Sequence, residues 1–421
     1  MARVLILSLV FPPDGVSTAV ILGELSADLK RAGHDVSVIT TAPHYNRDEA
    51  AEARQPLTKA WAGLLYLSDY HGIPVLHVAM PRKTASVFRR LMAWMQFHVL
   101  SLLAALTHVR RVDVIVTPSP PLTVGVVAWL LGLRYRAPFV YNVQELYPDI
   151  AIALGALRNR GLIRMLYALE RFVYRRARFI TVIAQRMRER VVNKGIPADK
   201  VRVVPNFADV DDLVPLPKSN DFSRRHGLDS RFVVTYAGNM GPAQDLDSVI
   251  EAALLLRHQS GVMFLLVGEG SAYQRLNERV LSLGLTNVLM LPHQPYDLVP
   301  QIYAASDLCL VPLAKDTGSD AVPSKVYRIM ACERPVLACA DAHSDLAEFV
   351  METRGGIVVP PAAPETLASA ISDAATKPEV LREMGRVGRE RVLAGYSRAA
   401  VTAQYDALVA EALQASRRST A

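Results

Sequence analysis

The chain twice sets up the same alternation: a short apolar, β-branched run, a loop of Gly, Pro or polar residues, then a longer stretch with helical periodicity. In the first half the strand-like runs are 4–11, 35–41, 75–79, 112–117, 139–143, 179–183 and 201–205. Helices are expected over 18–32, 84–109, 122–133, 159–177 and 185–194. The pattern restarts with strands at 232–237, 263–267, 288–291, 308–313, 336–340 and 356–359, and helices near 245–258, 272–283 and 323–332. Two more helices, 378–394 and 397–416, finish the chain. Runs that are apolar on both faces and separated by helices predict parallel, doubly wound sheets. A chain of 421 residues exceeds one ordinary domain, and the polar, proline-bearing stretch 206–230 marks the boundary. The expectation is therefore α/β: an N-terminal Rossmann-like domain over 1–206, a C-terminal one over 207–395, and a last helix, 396–421, returning to the first domain. Open α/β sheets bind ligands beyond the carboxyl ends of their strands, so two such domains are expected to face each other across a ligand cleft.

Composition removes several alternatives. Apolar residues make up 51%, ample for large cores and unlike a disordered chain. The three cysteines, Cys309, Cys332 and Cys339, lie in apolar contexts with no CxxC or Cys/His cluster, so neither a disulfide frame nor a zinc site is expected. Residues 1–210 carry 27 Lys+Arg against 15 Asp+Glu, while the overall net charge is only +7. A basic half suits an anionic partner. No interleaved aromatic and basic motif of a nucleic-acid binder is present, which leaves a membrane surface as the expected partner. The N-terminus lacks the cleavage pattern of a signal peptide, and 91–106 contains Gln96 and His98 and falls short of a transmembrane span. With Arg89 and Arg90 before it and Arg110 and Arg111 after it, that stretch reads as an interfacial helix or a buried helix of the first domain.

The stretch TGSDAVPSKVYRIMACERPVL, 317–337, carries the clearest chemistry. Pro323 sits where a helix can start. Spacing at about 100° per residue groups Val326, Tyr327, Ile329, Met330 and Ala331 on one apolar arc, leaving Ser324, Lys325, Arg328 and Cys332 on the other side. First-turn amides beside a lysine form an anion site, or else the helix merely solvates its charges. Cations at a helix N-terminus oppose the dipole, which favours the anion reading.

Taken together, several blocks resemble a GT-B fold glycosyltransferase of family 4, in the branch that builds surface polysaccharides such as lipopolysaccharide and capsule on lipid carriers. They are FPPDG with ILGELSADLKRAGHDVSVIT, TPSPPLTVG, VQELYPD, YAGNMGPAQDLDSVIEAA, LLVGEGS and AVPSKVYRIMACERPVL, in order along nearly the whole chain. The resemblance implies a retaining glycosyltransferase that moves a sugar from a nucleotide-sugar donor, UDP-linked by expectation, to a lipid-linked saccharide. It implies no cofactor, no obligatory metal, and a cytoplasmic protein held peripherally on the inner face of the membrane.

By this resemblance Gly238, Asn239, Gln244, Gly268, Asp320, Ser324, Lys325 and Arg328 bind the donor. Asp14 and Gly15 leave room for the acceptor, and Lys325 and Glu145 carry the chemistry. The chain departs from the family where two glutamates eight residues apart are usual: Asp320 stands at the first position and Arg328 at the second. An arginine cannot accept the ribose hydrogen bonds. Asn239 and Gln244 stand where Arg and Lys are usual, which makes Lys325 the main cation for the leaving diphosphate. Glu145 assists proton removal or stabilises charge, or hydrogen-bonds loop amides. The DxD pairs Asp209–Asp211 and Asp245–Asp247 are read as linker and helix cap, not metal ligands. A nucleotide-sugar epimerase of the same fold and a non-catalytic nucleotide-sugar binder are the competing readings.

Overall fold

The computed structural model describes residues 1–44, 49–81, 87–153, 155, 157–315 and 322–420. It divides into two compact units, Met1–Pro205 with Val401–Ala421, and Asn206–Ala400.

The first unit holds β1 (Arg3–Leu7), β2 (Asp35–Thr41), β3 (Thr58–Ala60), β4 (Leu65–Tyr70), β5 (Ile73–Val78), β6 (Val114–Ser119), β7 (Phe139–Val143), β8 (Phe179–Val182) and β9 (Val201–Val203). They form one sheet in the order β3-β4-β5-β2-β1-β6-β7-β8-β9. Pairing is parallel except where β4 joins β3 and β5. The alternation of apolar runs and helices thus gives the expected doubly wound sheet. The antiparallel edge of β3 and β4 is an addition that the sequence reading lacked. LYLSDY mixes polar and apolar residues without a clean period, and its turn takes positive φ at Trp61 and Ala62, which the side chains do not advertise. The first strand also ends earlier than expected, at Leu7. The Ser8 hydroxyl donates to the Val10 carbonyl at 2.7 Å and accepts from the Val10 amide, a local turn that competes with the ladder.

The last helix, Arg398–Thr420, completes this unit. Tyr405 is buried, and its hydroxyl accepts from the amide of buried Asn142 on β7 at 2.7 Å. Val401, Val409 and Ala412 are sealed in the core. Asp406 meets the His34 ring at 2.6 Å.

The second unit holds β10 (Phe232–Ala237), β11 (Val262–Val267), β12 (Val288–Leu291), β13 (Leu308–Pro312), β14 (Val336–Cys339) and β15 (Gly356–Val359). Their order is β12-β11-β10-β13-β14-β15, parallel throughout. From β10 the chain winds one way through β11 and β12, and after β13 the other way. The switch point therefore lies between β10 and β13, where loops diverge and open a crevice. Helix Ser324–Ala331 follows β13 and buries Val326, Tyr327, Ile329, Met330 and Ala331, the arc that its spacing predicts. Cys332, expected on the polar side, is instead fully buried. The helix ends there, and the residue joins the core with Val336, Phe349 and Val392.

Glu333 follows with φ +57°, a left-handed conformation that costs a residue with a Cβ about 1–2 kcal/mol. Glycine is the usual occupant of such a helix end. Replacing Glu333→Gly is expected to stabilise the protein by about 1 kcal/mol, raising Tm by roughly 2–4 °C in a thermal melt. An unchanged or lower Tm would show that the glutamate is not strained.

Candidate functional site

The loops leaving β10 and β11 close on each other backbone to backbone. The Gly238 amide donates to Val267 at 2.9 Å, the Met240 amide to Glu269 at 2.7 Å, and the Ala272 amide to Met240 at 3.0 Å. Gly268 has φ +143°, and a Cβ there would stand 1.9 Å from the Gly238 carbonyl oxygen. Its missing side chain thus admits the neighbouring backbone, a packing role beside the donor contact expected of it. Gly238, at φ +148°, serves a different neighbour: a Cβ there would lie 2.7 Å from the Lys325 ammonium nitrogen.

Lys325 is half-buried in the first turn of helix Ser324–Ala331. Its Nζ sits 4.1 Å from the centre of the Tyr236 ring. Among the described residues it has no carboxylate partner. Burial, and secondarily the positive charge of Arg328, push its pKa down to about 7. An ammonium removed from water without a counter-charge favours its neutral form, and an anion placed beside it would favour the charged one. Pro323 at the N-cap offers no side-chain hydrogen bond to the helix; the Val326 amide donates to the Pro323 carbonyl at 3.0 Å, which leaves the amides of Ser324 and Lys325 as the ones suited to a ligand. Ser324 stands at the first of those positions.

Tyr236 is fully buried, and its hydroxyl donates to the Asn239 carbonyl at 2.5 Å. One side chain therefore supports both the lysine and the loop. The Asn239 side chain lies between Gly241 and Gly270. Gln244 follows in the same loop, its Oε1 buried with no hydrogen-bond partner among the described residues, and an orphaned acceptor at this depth is costly unless something fills the role. Arg328, one turn along the helix, lies 5.8 Å from the Tyr296 ring centre. The structure thus gathers Gly238, Asn239, Gln244, Gly268, Ser324, Lys325 and Arg328 around the switch point of the second sheet. Asp320 lies outside the described residues. Tyr236 and Tyr296 were missed; the only signal for Tyr236 was its place two residues before Gly238.

The other candidates belong to the first unit. Asp14 is buried on the loop after β1; its carboxylate accepts from the His44 amide at 3.2 Å and lies 3.9 Å from the His44 ring. Gly15 beside it is exposed. Glu145, on the loop after β7, is an exposed residue whose carboxyl is nevertheless pushed up by partial desolvation. Solvent contact keeps that effect modest.

Both DxD pairs have protein partners. Asp209 receives Arg398 at 2.9 Å. Hydrogen bonds from Arg275 and Arg279 hold the Asp247 carboxyl below the ordinary carboxylate range. Asp245 caps helix Leu246–Leu255 through the Ser248 amide and receives the Ala362 amide at 3.0 Å.

Two Rossmann-like units, one with a crevice at its switch point, define a class, and comparison with known proteins supplies the family. Residues 15–206 match the glycosyl transferase 4-like domain, and residues 218–391 match the glycosyl transferases group 1 domain. The chain is 26% identical over 394 residues to an Escherichia coli (strain K12) protein bearing the name of a colanic acid biosynthesis glycosyl transferase, WcaI. That alignment covers 90% of this chain and 93% of the relative. Two solved structures share the fold. HepE of Anabaena, crystallised with UDP, has TM-score 0.73 and 16% identity over 97% of this chain and all of its own. The sucrose-phosphate synthase of Thermosynechococcus elongatus has TM-score 0.75 and 17% identity over 99% and 100%. The chain is a GT-B glycosyltransferase, formed of a glycosyl transferase 4-like domain and a group 1 domain. The epimerase and non-catalytic readings give way to a transferase.

The depressed Lys325 pKa predicts that an anion bound beside this lysine takes up a proton. Above about pH 7 the lysine alone is expected to be mostly neutral, and a diphosphate placed beside it would restore the charge by drawing in a proton. Titration calorimetry with UDP at about pH 8, repeated in buffers of different ionisation enthalpy, is expected to show uptake approaching one proton. Lys325→Met should abolish it; equal heats in every buffer would refute the linkage.

Proposed function

We propose that this glycosyltransferase moves a sugar, with retention of configuration, from a UDP-sugar to a lipid-linked saccharide in surface polysaccharide biosynthesis. The observation that carries the donor half is the Lys325 ammonium, held without a carboxylate partner among the described residues, at a helix N-terminus beside Gly238. UDP as the nucleotide is supported by HepE, whose structures are titled as complexes with UDP and with UDP-glucose. The acceptor class is supported by the likeness to the colanic acid relative.

In this reading the sugar–phosphate bond breaks as the acceptor hydroxyl attacks the anomeric carbon from the same face. The bonding electrons leave with the diphosphate, which takes the acceptor proton. Lys325, Ser324 and the first-turn amides stabilise the charge that grows on the leaving group, and such preorganised donors are commonly the largest catalytic contribution. Arg328 joins Lys325 as a second cation on the diphosphate, in place of the glutamate usual in the family. Asn239 and Gln244 contribute neutral hydrogen bonds. Glu145 supplies a carboxylate for the oxocarbenium-like charge, and Asp14 with Gly15 shapes the acceptor side. No metal or cofactor takes part.

Lys325→Ala is expected to lower transfer at least tenfold, about 1.4 kcal/mol of transition-state stabilisation, with the fold unchanged by circular dichroism. Wild-type activity in that variant would remove Lys325 from the mechanism, and loss of parental activity in EDTA, restored by Mg²⁺, would reopen the metal question. Arg328→Ala should weaken UDP far more than uridine in calorimetry. Arg328→Glu should weaken UDP further still, because it sets a carboxylate beside the phosphates. UDP binding by Arg328→Glu at the parental affinity would sink the two-cation clamp.

A further inference from the structure

The lysines of this chain differ in what holds them. Lys194 and Lys218 are bound by carboxylates, the first by Glu170 at 2.7 Å and the second by Asp307. Lys30 and Lys200 donate to main-chain carbonyls, of His71 at 3.3 Å and of Arg175 at 2.9 Å. Lys59, Lys315 and Lys377 stand exposed in water. Lys325 belongs to none of these groups among the described residues. Its Nζ lies over the Tyr236 ring at 4.1 Å, beside Gly238, with Arg328 one turn along the same helix.

Loss of water and a second cation nearby both favour the uncharged amine, the form that acts as a nucleophile. At pH 8 an ordinary lysine, with a pKa of about 10.4, is less than about 1% neutral. Lys325, pushed down to about 7, is expected to be mostly neutral there. The same corner suits an anion. The amides of Ser324 and Lys325 open the helix, and Arg328, near the Tyr296 ring at 5.8 Å, supplies a guanidinium. A nucleophilic amine beside a phosphate cradle matches a reagent that carries an electrophilic carbon and a phosphate together.

We propose that Lys325 is a modification site for acyl phosphates, which acylate it and so close the donor crevice. The phosphate of the reagent sits on the first-turn amides and Arg328, setting its carbonyl carbon beside Nζ. The nitrogen lone pair forms the new C–N bond. The C–O bond to phosphate breaks, its electrons leave with the phosphate, and the surplus proton on nitrogen passes to that phosphate. The product is an amide that carries no charge and cannot regain one when a diphosphate approaches. This site of control rests on the anion reading of the same crevice, and the two are separable by experiment.

The test treats the full-length protein with acetyl phosphate at about pH 8 and follows acetylation of each lysine by peptide mass spectrometry. Lys325 is expected to react at least about tenfold faster than Lys59, Lys315 or Lys377. Inorganic phosphate should slow that reaction at Lys325, yet leave its acetylation by acetic anhydride, which carries no phosphate, unchanged. UDP affinity and transfer should fall in step with the fraction of Lys325 acetylated. Reaction at Lys325 no faster than at the exposed lysines overturns the proposal, as does acetylation by acetyl phosphate that inorganic phosphate does not slow. Selective, phosphate-sensitive acetylation in a protein that fails to bind UDP would uphold the modification site and remove the nucleotide reading. UDP binding with an unreactive Lys325 would do the reverse.

Discussion

An ammonium group held partly out of water, with no carboxylate partner among the described residues, is the constraint around which the second unit's crevice is arranged. Lys325 stays beside the Tyr236 ring because Gly238 offers no side chain to displace it. Gly238 holds its position because the loops after β10 and β11 lock together through main-chain hydrogen bonds, which Gly268 permits. A carboxylate near the lysine would neutralise it and fill the place of a ligand. The unit instead leaves a basic group whose charged form is disfavoured, and an anion reverses that preference. The crevice is thus selective for negative charge before any ligand hydrogen bond is considered.

The same logic explains how the site tolerates Arg328. An additional cation near Lys325 makes the charged lysine costlier by itself and would deepen the gain from a neighbouring anion. Arg328 lies near Tyr296 and Lys325 against Tyr236, and aromatic faces accept cations at modest cost. Asn239 and Gln244 then need carry no charge of their own. In the proposed reading, positive charge is carried by Lys325 and Arg328 on the helix, and the first loop contributes the neutral Asn239 and Gln244.

Most strands were legible because parallel strands buried on both faces leave continuous apolar runs; 35–41, 139–143, 232–237, 288–291 and 356–359 coincide with observed strands. The β3–β4 edge was not, since a half-exposed antiparallel strand such as LYLSDY carries a weak pattern and its turn depends on backbone angles. In the site, Lys325 was readable from a helix start with a misplaced cation. Tyr236 was not, because its contact with Lys325 arises from β10 lying beside β13, a relation between residues 89 positions apart. The GxG at Gly268 shows a further limit: a missing Cβ makes room, and only the fold says whether for a ligand or for Gly238. Cys332 failed for the same reason, as helical spacing cannot know what covers the helix's end.

The return of the last helix to the first unit sets an order in time. Asn142 on β7 finds Tyr405 only across 263 residues of chain, and Val401, Val409 and Ala412 seal the same unit. During synthesis, the first sheet must therefore wait, its β7 amide and apolar floor uncovered, while the whole second unit is made and folds. Long-range closure of this kind is slow and leaves surface open to wrong partners. The first unit is closed only after residues 401–412 have been added, by which point all of Asn206–Ala400 has been made.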